Sequence, residues 1–527
     1  MLAACAGGRL PEPRLADFHL SPIVPLPVSV ERRPGELRLG ELTAIVIPAD
    51  AGADLHAATD TWSRAAAPVV GRALPIRVDD VAGAAIRLRR DGRASSNPEG
   101  YRLTVTTNGV DIRAPTDAGL FYGLQTLRQL FPVRVNGTRV LPAVAIEDAP
   151  RFRYRGMHLD VGRHFMPLEF IKKYIDLMAL YKLNTFHWHL TEDQGWRLQI
   201  MRYPRLTEVG GCRKETVVAK NFNPFVGDGT PHCGFYTQEQ AREIVQYARE
   251  RFITVIPEIE MPGHSLAALA AYPELACTPG LFEVGARWGV FEDVLCPKKE
   301  TLAFLEHVLD EVTRIFPGTY VHIGGDEVSK KRWQDSPIAQ DIICREGLKD
   351  EHELQSWFIR SIESMLHARG RRLIGWDEIL EGGLAPDATV MSWRGTQGGI
   401  AAARQGHDVI MTPNSHLYFD HYQAALEGEP LAIGGFSPLE KVYAFEPVPA
   451  ELSSREARHI LGAQANVWTE YMKTPEHVEY MVFPRMLALA EVVWSPRELR
   501  DWGHFQARLP SQLERLGALG VRYRPWR

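Results

Sequence analysis

The stretch Tyr320-Val321-His322-Ile323-Gly324-Gly325-Asp326-Glu327-Val328 reads as a short apolar strand, a turn and two adjacent carboxylates. Glycine adopts backbone conformations closed to other residues, so Gly324-Gly325 lets the chain turn sharply and a ligand come close. Asp326 and Glu327 then fall at the carboxyl end of a strand, where parallel α/β folds place their chemistry. Alone, the same pair could open a helix as two acids favoured by the dipole. The neighbouring segments decide between these readings.

From Arg151 onward short strands alternate with amphipathic helices, the βα signature. The candidate strands are Gly156–Asp160, Asn184–His189, Thr254–Pro257, Tyr320–Ile323, Arg372–Gly375, Thr389–Ser392, Asp408–Met411 and Ile460–Gln464. A helix with Pro167 in its first turn repeats Phe170, Ile171, Tyr174, Leu177 and Met178 on one face. Another starts at Thr237 with Gln240 completing a capping box, and a third runs through Leu302, Leu305, Val308, Leu309 and Val312. Eight such strands fit an α/β fold of the (β/α)8 TIM-barrel type. A doubly wound open sheet is the alternative, but no Gly-rich phosphate loop follows an early strand.

The expected organisation is a leader or linker at 1–20, a small α+β domain at 21–147, the barrel at 148–499 and a tail at 500–527. The first domain is read from strands at Leu42–Ile47 and Ala85–Leu88, a hairpin around Asn108-Gly109, and a helix capped by Thr116 that runs through Leu130. The small domain is expected to pack against the barrel. In the tail, Phe505, Leu509, Leu513 and Leu516 form an apolar face expected to cap the barrel.

The chain has 527 residues, enough for two or three domains. A net charge of −5 leaves no basic footprint for nucleic acid. No stretch approaches the roughly 20 apolar residues of a membrane span. Cys212 with Cys233, and Cys277 with Cys296, are close enough for local bridges, which would imply an oxidising compartment; free buried thiols are the alternative. Cys344 reads as a free core thiol in a helix. Leu2-Ala3-Ala4-Cys5 resembles the end of a bacterial lipoprotein signal without its leader. The expectation is a truncated start and an exported protein. Oligomeric state has no signature in the chain.

Chemistry-bearing residues follow every strand. After the first come Asp160, Arg163 and His164, with Arg155 just before it; after the second His187, His189, Glu192 and Asp193; after the third Glu258, Glu260 and His264. Asp326 and Glu327 follow the fourth, Trp376, Asp377 and Glu378 the fifth, and Trp393 the sixth. Tyr418 and Asp420 follow the seventh, Trp468 and Glu470 the eighth. Acids and an arginine bind hydroxyls, and indoles stack on C–H faces, so one barrel mouth with this lining suits a polyhydroxylated ligand.

Five ordered motifs carry a closer resemblance: Arg155-Gly156…Asp160…Arg163-His164-Phe165; His187 to Trp196; Ile256 to His264; His322 to Glu327; and Gly375 to Glu378. Together they resemble the β-N-acetylhexosaminidases of glycoside hydrolase family 20, from about residue 21 onward. The resemblance implies exo-acting removal of a terminal N-acetylglucosamine or N-acetylgalactosamine, without metal or cofactor, by substrate-assisted hydrolysis through an oxazolinium ion. It implies that Glu327 is the general acid and that Asp326 orients the acetamido N–H. On the same resemblance Tyr418 would donate to the acetamido oxygen, His264 and Glu192 would form a relay behind Glu327, and Trp376, Trp393 and Trp468 would wall the sugar. Arg155 would bind outer hydroxyls with Glu470 and Asp420, and Glu260 would be a further substrate-binding residue. Glu192 and Glu260 stand where the family often has aspartate, and Tyr443 is the candidate for a further wall residue. Adjacent side chains of an extended chain point apart, so Asp326 and Glu327 are expected to serve different parts of one sugar.

Three other functions stay open on the sequence alone. A glycosidase with a carboxylate nucleophile would use a second acid such as Glu470. A metal-dependent hydrolase would use His187 and His189, which share a strand face. A sugar-binding barrel without turnover would keep the walls alone.

Overall fold

The computed structural model describes residues 22–133, 139–425 and 427–526. The proposed leader, and with it Cys5, lies outside them. Two compact units result: the described residues up to Arg151 with Trp494–Ala518, and Phe152–Val493 with the residues from Leu519.

The first unit is a seven-stranded sheet. Its strands are β1 (Ser29–Arg38), β2 (Ile45–Val46), β3 (Ile76–Arg77), β4 (Ala85–Arg90), β5 (Tyr101–Thr106), β6 (Gly109–Ala114) and β7 (Val140–Asp148), in the order β1-β7-β5-β6-β4-β2-β3. β5 and β6 form the expected hairpin, and the Thr116 side chain accepts from Gly119 N at the start of the helix Asp117–Leu130. The segment expected as a strand over Leu42–Ile47 pairs only at Ile45–Val46. The edge strand β1 and the helix Ala53–Val70 were not foreseen: β1 is largely exposed and lacks apolar alternation.

The tail corrects the sequence reading. Helix Trp502–Ala518 belongs to this first unit, where Arg508 donates to Ile23 O at 2.7 Å and Arg515 to Gln129 O at 2.9 Å. Its apolar face shows that it is buried on one side, but periodicity carries no information about the partner.

The second unit contains a closed parallel barrel of β8 (Tyr154–Asp160), β9 (Thr185–His189), β10 (Thr254–Glu258), β11 (Tyr320–His322), β12 (Arg372–Trp376), β13 (Thr389–Ser392), β14 (Val409–Met411) and β15 (Ile460–Ala465). All eight expected strands are present. β8 pairs with both β9 and β15, which closes the ring. Pro167 is the N-cap of the helix Leu168–Leu180 rather than a member of its first turn. The capping box of Thr237 and Gln240 forms as expected. Between β12 and β13 only a single turn, Asp377–Leu380, replaces the usual helix. The segment between β9 and Thr237 carries short hairpins, one bridged by Cys212–Cys233. Cys277 is bridged to Cys296. Cys344 lies in the helix Pro337–Glu346 as a free thiol, but exposed rather than in the core.

Candidate active site

The carboxyl ends of the barrel strands open on a cavity of about 400 Å³. Asp326, Glu327, His264, Tyr418, Asp420, Glu470, Trp376, Trp393 and Trp468 all line it, joined by Arg163 and Trp288.

The Gly-Gly turn after β11 sets the two acids. Gly324 and Gly325 have φ of 68° and 86°. A Cβ on Gly324 would sit 1.8 Å from Glu260 Oε2, so the turn passes too close to that carboxylate for any side chain. Gln355 pins the turn by donating to Gly325 O at 2.8 Å. Glu327 (φ 50°) and His264 (φ 46°) are also left-handed, a conformation that costs a non-glycine residue on the order of 1–3 kcal/mol and concentrates at functional sites. Glu327 is therefore not extended, and the expected divergence of the carboxylates does not hold. Both approach one nitrogen: His264 Nε2 lies 3.5 Å from Asp326 Oδ2 and 3.4 Å from Glu327 Oε2.

Behind this pair His264 Nδ1 bonds Asp193 Oδ2 at 3.0 Å and lies 2.8 Å from Glu192 Oε1. Glu192 also contacts Arg163 at 3.1 Å and His189 Nε2 at 3.1 Å. Glu192 thus sits beneath the cavity rather than in its wall. Burial opposes protonation of His264, but the Glu192 and Asp326 carboxylates outweigh it and hold the imidazole well above its ordinary range. The hydrogen bond from His264 lowers Glu327. Burial first, then the charges of Glu258 and Glu327, pushes Asp326 up to about 7. Burial and the neighbouring Asp326 push Glu378 up to about 8.

These raised carboxyls carry a stability consequence. A folded-state pKa above the unfolded value contributes stability that is fully present below the unfolded pKa and lost as pH rises through the folded one. For Asp326 and Glu378 the loss runs from about pH 4 up to about 7 and 8. Between pH 5 and 8 these groups lower Tm as pH rises. The double variant Asp326→Asn/Glu378→Gln is expected to flatten that slope in thermal unfolding; an unchanged slope would contradict the assignment.

Below the cavity lies a layer built on Glu258. Trp376 Nε1 donates to its Oε1 at 2.8 Å, His189 Nδ1 bonds its Oε2, and His187 Nε2 and His322 Nδ1 lie 3.0 and 2.8 Å away. Burial opposes a charge on His189, yet the Glu258 carboxylate helps hold its pKa up to about 10. His158–His187–Glu258 and His189–Glu258–Glu260 have spacings a metal could use. In both groups Glu258 already meets protein donors, and His187 Nδ1 faces Gln464 Nε2 at 3.0 Å. Glu258→Ala would strand three imidazoles and an indole N–H in the interior. The expected cost is about 3–5 kcal/mol, read as a lowered denaturation midpoint. A variant as stable as the parent would contradict this role.

Three further expected site residues, Arg155, Glu260 and Tyr443, lie outside the cavity wall. Arg155 is near the amino end of β8, fully buried, and donates to Lys182 O and Phe152 O at 2.9 Å each. It cannot serve the mouth at the other end of that strand. Arg163, beyond the carboxyl end, stands in the cavity wall with its guanidinium 5.0 Å from the Trp468 ring centre. Glu260 is buried against Gly324 and is absent from the cavity wall; neither carboxylate oxygen has a hydrogen-bond partner among the described residues. Burial, then the charges of Asp326 and Glu258, raises its pKa well above the usual range. Tyr443 is also displaced, with its hydroxyl on Glu491 at 2.9 Å.

The remaining walls are held from behind. Trp393 Nε1 donates to Glu378 Oε2 at 2.9 Å and its backbone N–H to Asp377 Oδ2 at 3.0 Å. The Tyr418 ring lies nearly parallel to Trp393, 14° between planes and 6.1 Å between centres. Asp420 Oδ1 and Glu470 Oε2 are buried without partners among the described residues, and burial raises both carboxyls. The roles of Asp193, Arg163, Glu378 and Trp288 were not foreseen. The first three stand at strand ends, whereas Trp288 comes from a long loop with no periodic signal.

Comparison with known proteins matches residues 152–497 to the model described as glycosyl hydrolase family 20, catalytic domain, and residues 20–149 to domain 2 of the same family. The chain is 50% identical over 510 residues to a beta-hexosaminidase of Porphyromonas gingivalis, covering 95% of this chain and 64% of that protein. The same 64% share holds for a beta-hexosaminidase of Vibrio furnissii, 41% identical over 74% of this chain, so the chain spans just under two thirds of the length of these two relatives. Among solved structures it resembles a mutant Streptomyces plicatus beta-hexosaminidase in complex with product GlcNAc, with a TM-score of 0.83, 31% identity and coverage of 96% of this chain and 98% of that one.

Proposed function

The chain belongs to glycosyl hydrolase family 20, and from that premise we propose that it is an exo-acting β-N-acetylhexosaminidase using the substrate's own 2-acetamido oxygen as nucleophile. The observation that carries the reading is the convergence of Asp326 and Glu327 on His264 Nε2 at the mouth of a cavity walled by indoles.

In the free site the hydrogen bond from His264 favours the ionised form of Glu327, and burial, pushing Asp326 up to about 7, leaves its carboxyl partly protonated near neutrality. An acetamido N–H donated to Asp326 favours its ionised form, and the new anion favours protonation of its neighbour Glu327. The proton thus reaches the acid as the sugar binds. Glu327 then protonates the glycosidic oxygen while the acetamido oxygen attacks the anomeric carbon, breaking the glycosidic bond and closing an oxazolinium ring. Asp326 stabilises the positive charge on that ring nitrogen, and Tyr418 holds the acetamido oxygen. Water, deprotonated by Glu327, opens the ring with retention. The unpartnered oxygens of Asp420 and Glu470, with Arg163, suit the hydroxyls of a terminal ring and so support exo action. The two local disulfides suit an oxidising compartment and support export.

Turnover of an aryl N-acetylglucosaminide tests the reading. The protein should cleave it and leave the matching plain glucoside essentially untouched; equal rates would overturn it.

A further inference from the structure

The two acids sit between two held carbonyls. Gln355, buried in the helix Glu351–His367, donates from Nε2 to Gly325 O at 2.8 Å, just before Asp326. Lys330 Nζ donates to Val328 O at 2.9 Å, just after Glu327. The same Nζ bonds Gln355 Oε1, so the two anchors form one unit. That bond also fixes which way the Gln355 amide faces. Its oxygen is turned to the ammonium, which leaves Nε2 to serve Gly325. Burial lowers Lys330 to about 8, which leaves its ammonium form in excess at pH 7. The ammonium lies 5.8 Å from the ring centre of Trp333, a fully buried residue whose Nε1 donates to Leu295 O at 3.0 Å.

The chain between these anchors does not hold its shape by local preference. Gly324 and Gly325 turn left-handed without steric cost, but Glu327, at φ 50°, carries a Cβ into that region. Relaxation toward the right-handed or extended region would swing its side chain and take the carboxylate away from His264 Nε2, now 3.4 Å off. A conformation of this kind persists only where the surroundings over-determine it. Lys330 and Gln355 grip the backbone on both sides of the strained residue and are joined to each other, which is the arrangement such a constraint requires.

We propose that Lys330 and Gln355 are positioning residues: together they clamp the chain across Asp326 and Glu327 and keep Glu327 aimed at the glycosidic oxygen. This rests on the hydrolase reading above and adds to it the device that holds the acid. In this role neither residue touches the sugar. The carbonyl that Lys330 holds follows Glu327, whereas the one that Gln355 holds precedes Asp326. Loss of Lys330 should therefore show most where protonation of the leaving group limits the reaction.

The test is steady-state kinetics on the full chain with two aryl N-acetylglucosaminides. One is a dinitrophenyl glycoside, whose phenolate departs without a proton. The other is a methoxyphenyl glycoside, whose leaving oxygen needs one. The readout is kcat/KM, which reports on bond breaking. Lys330→Met is expected to lower it about tenfold on the methoxyphenyl substrate, inside the roughly 10²-fold that a misplacement of about 1 Å can cost, and to leave the dinitrophenyl substrate within about twofold. Lys330→Arg keeps a cationic donor and should recover part of the loss. Gln355→Leu should lower kcat/KM on both substrates, because it also frees the carbonyl before Asp326. The double variant should lose less than the product of the two single losses, since the pair shares one bond. Equal losses on both substrates in Lys330→Met, no loss on either, or a double variant at the full product would overturn the clamp. Should Gln355→Leu fail to fold, Lys330→Met and Lys330→Arg decide alone. A parent protein that cleaves neither glycoside would instead overturn the hydrolase reading.

Discussion

Replacing Glu327 with glutamine is expected to lower kcat/KM for a substrate with a poor leaving group by about 10²–10⁴, the range of one positioned general acid. An aryl glycoside whose phenol departs without protonation should be largely spared in the bond-breaking step. The expectation follows from where Glu327 stands. Its carboxylate lies 3.4 Å from His264 Nε2, in the wall of the cavity. Glutamine keeps shape and contacts but holds no transferable proton. The check is a pair of progress curves, one per substrate, on the same preparation. Equal losses on both would remove Glu327 from the role of acid.

Asp326→Asn should cost about 10²–10³ in turnover of acetamido substrates, the scale of one electrostatic contact to a charge that develops in the transition state. Asparagine can still accept from an N–H, so binding should suffer less than turnover. On the proposed mechanism, what is lost is the negative charge that would face the oxazolinium nitrogen. A titratable carboxyl that burial pushes up to about 7 is lost as well. A variant with raised KM and unchanged kcat would show that Asp326 only binds. Steady-state kinetics separates the two outcomes.

The barrel was legible because its strands are short, apolar and followed at once by charged or aromatic residues. That pattern survives in sequence since the strands are buried on both faces and the chemistry sits on one end. Arg155 shows where the pattern was misapplied. Arg155 lies within β8 at its amino end, whereas Arg163 lies past its carboxyl end, so the barrel rule itself favours Arg163. Glu260 was illegible for another reason: its side chain fills the space left by Gly324, a three-dimensional coincidence between two loops. The convergence of Asp326 and Glu327 depends on the left-handed backbone at Glu327, which no propensity of glutamate announces. The tail helix failed on partner choice: an amphipathic face states that burial occurs and not where.

The claim on which the mechanism turns is that the substrate's amide oxygen attacks its own anomeric carbon. Fluorination of the acetamido methyl group weakens that oxygen as a nucleophile while leaving the sugar and the leaving group unchanged. Across aryl glycosides bearing the mono-, di- and trifluoroacetamido groups, kcat is expected to fall steeply with each fluorine. A flat series would mean that a protein carboxylate forms the bond instead, and would contradict the account.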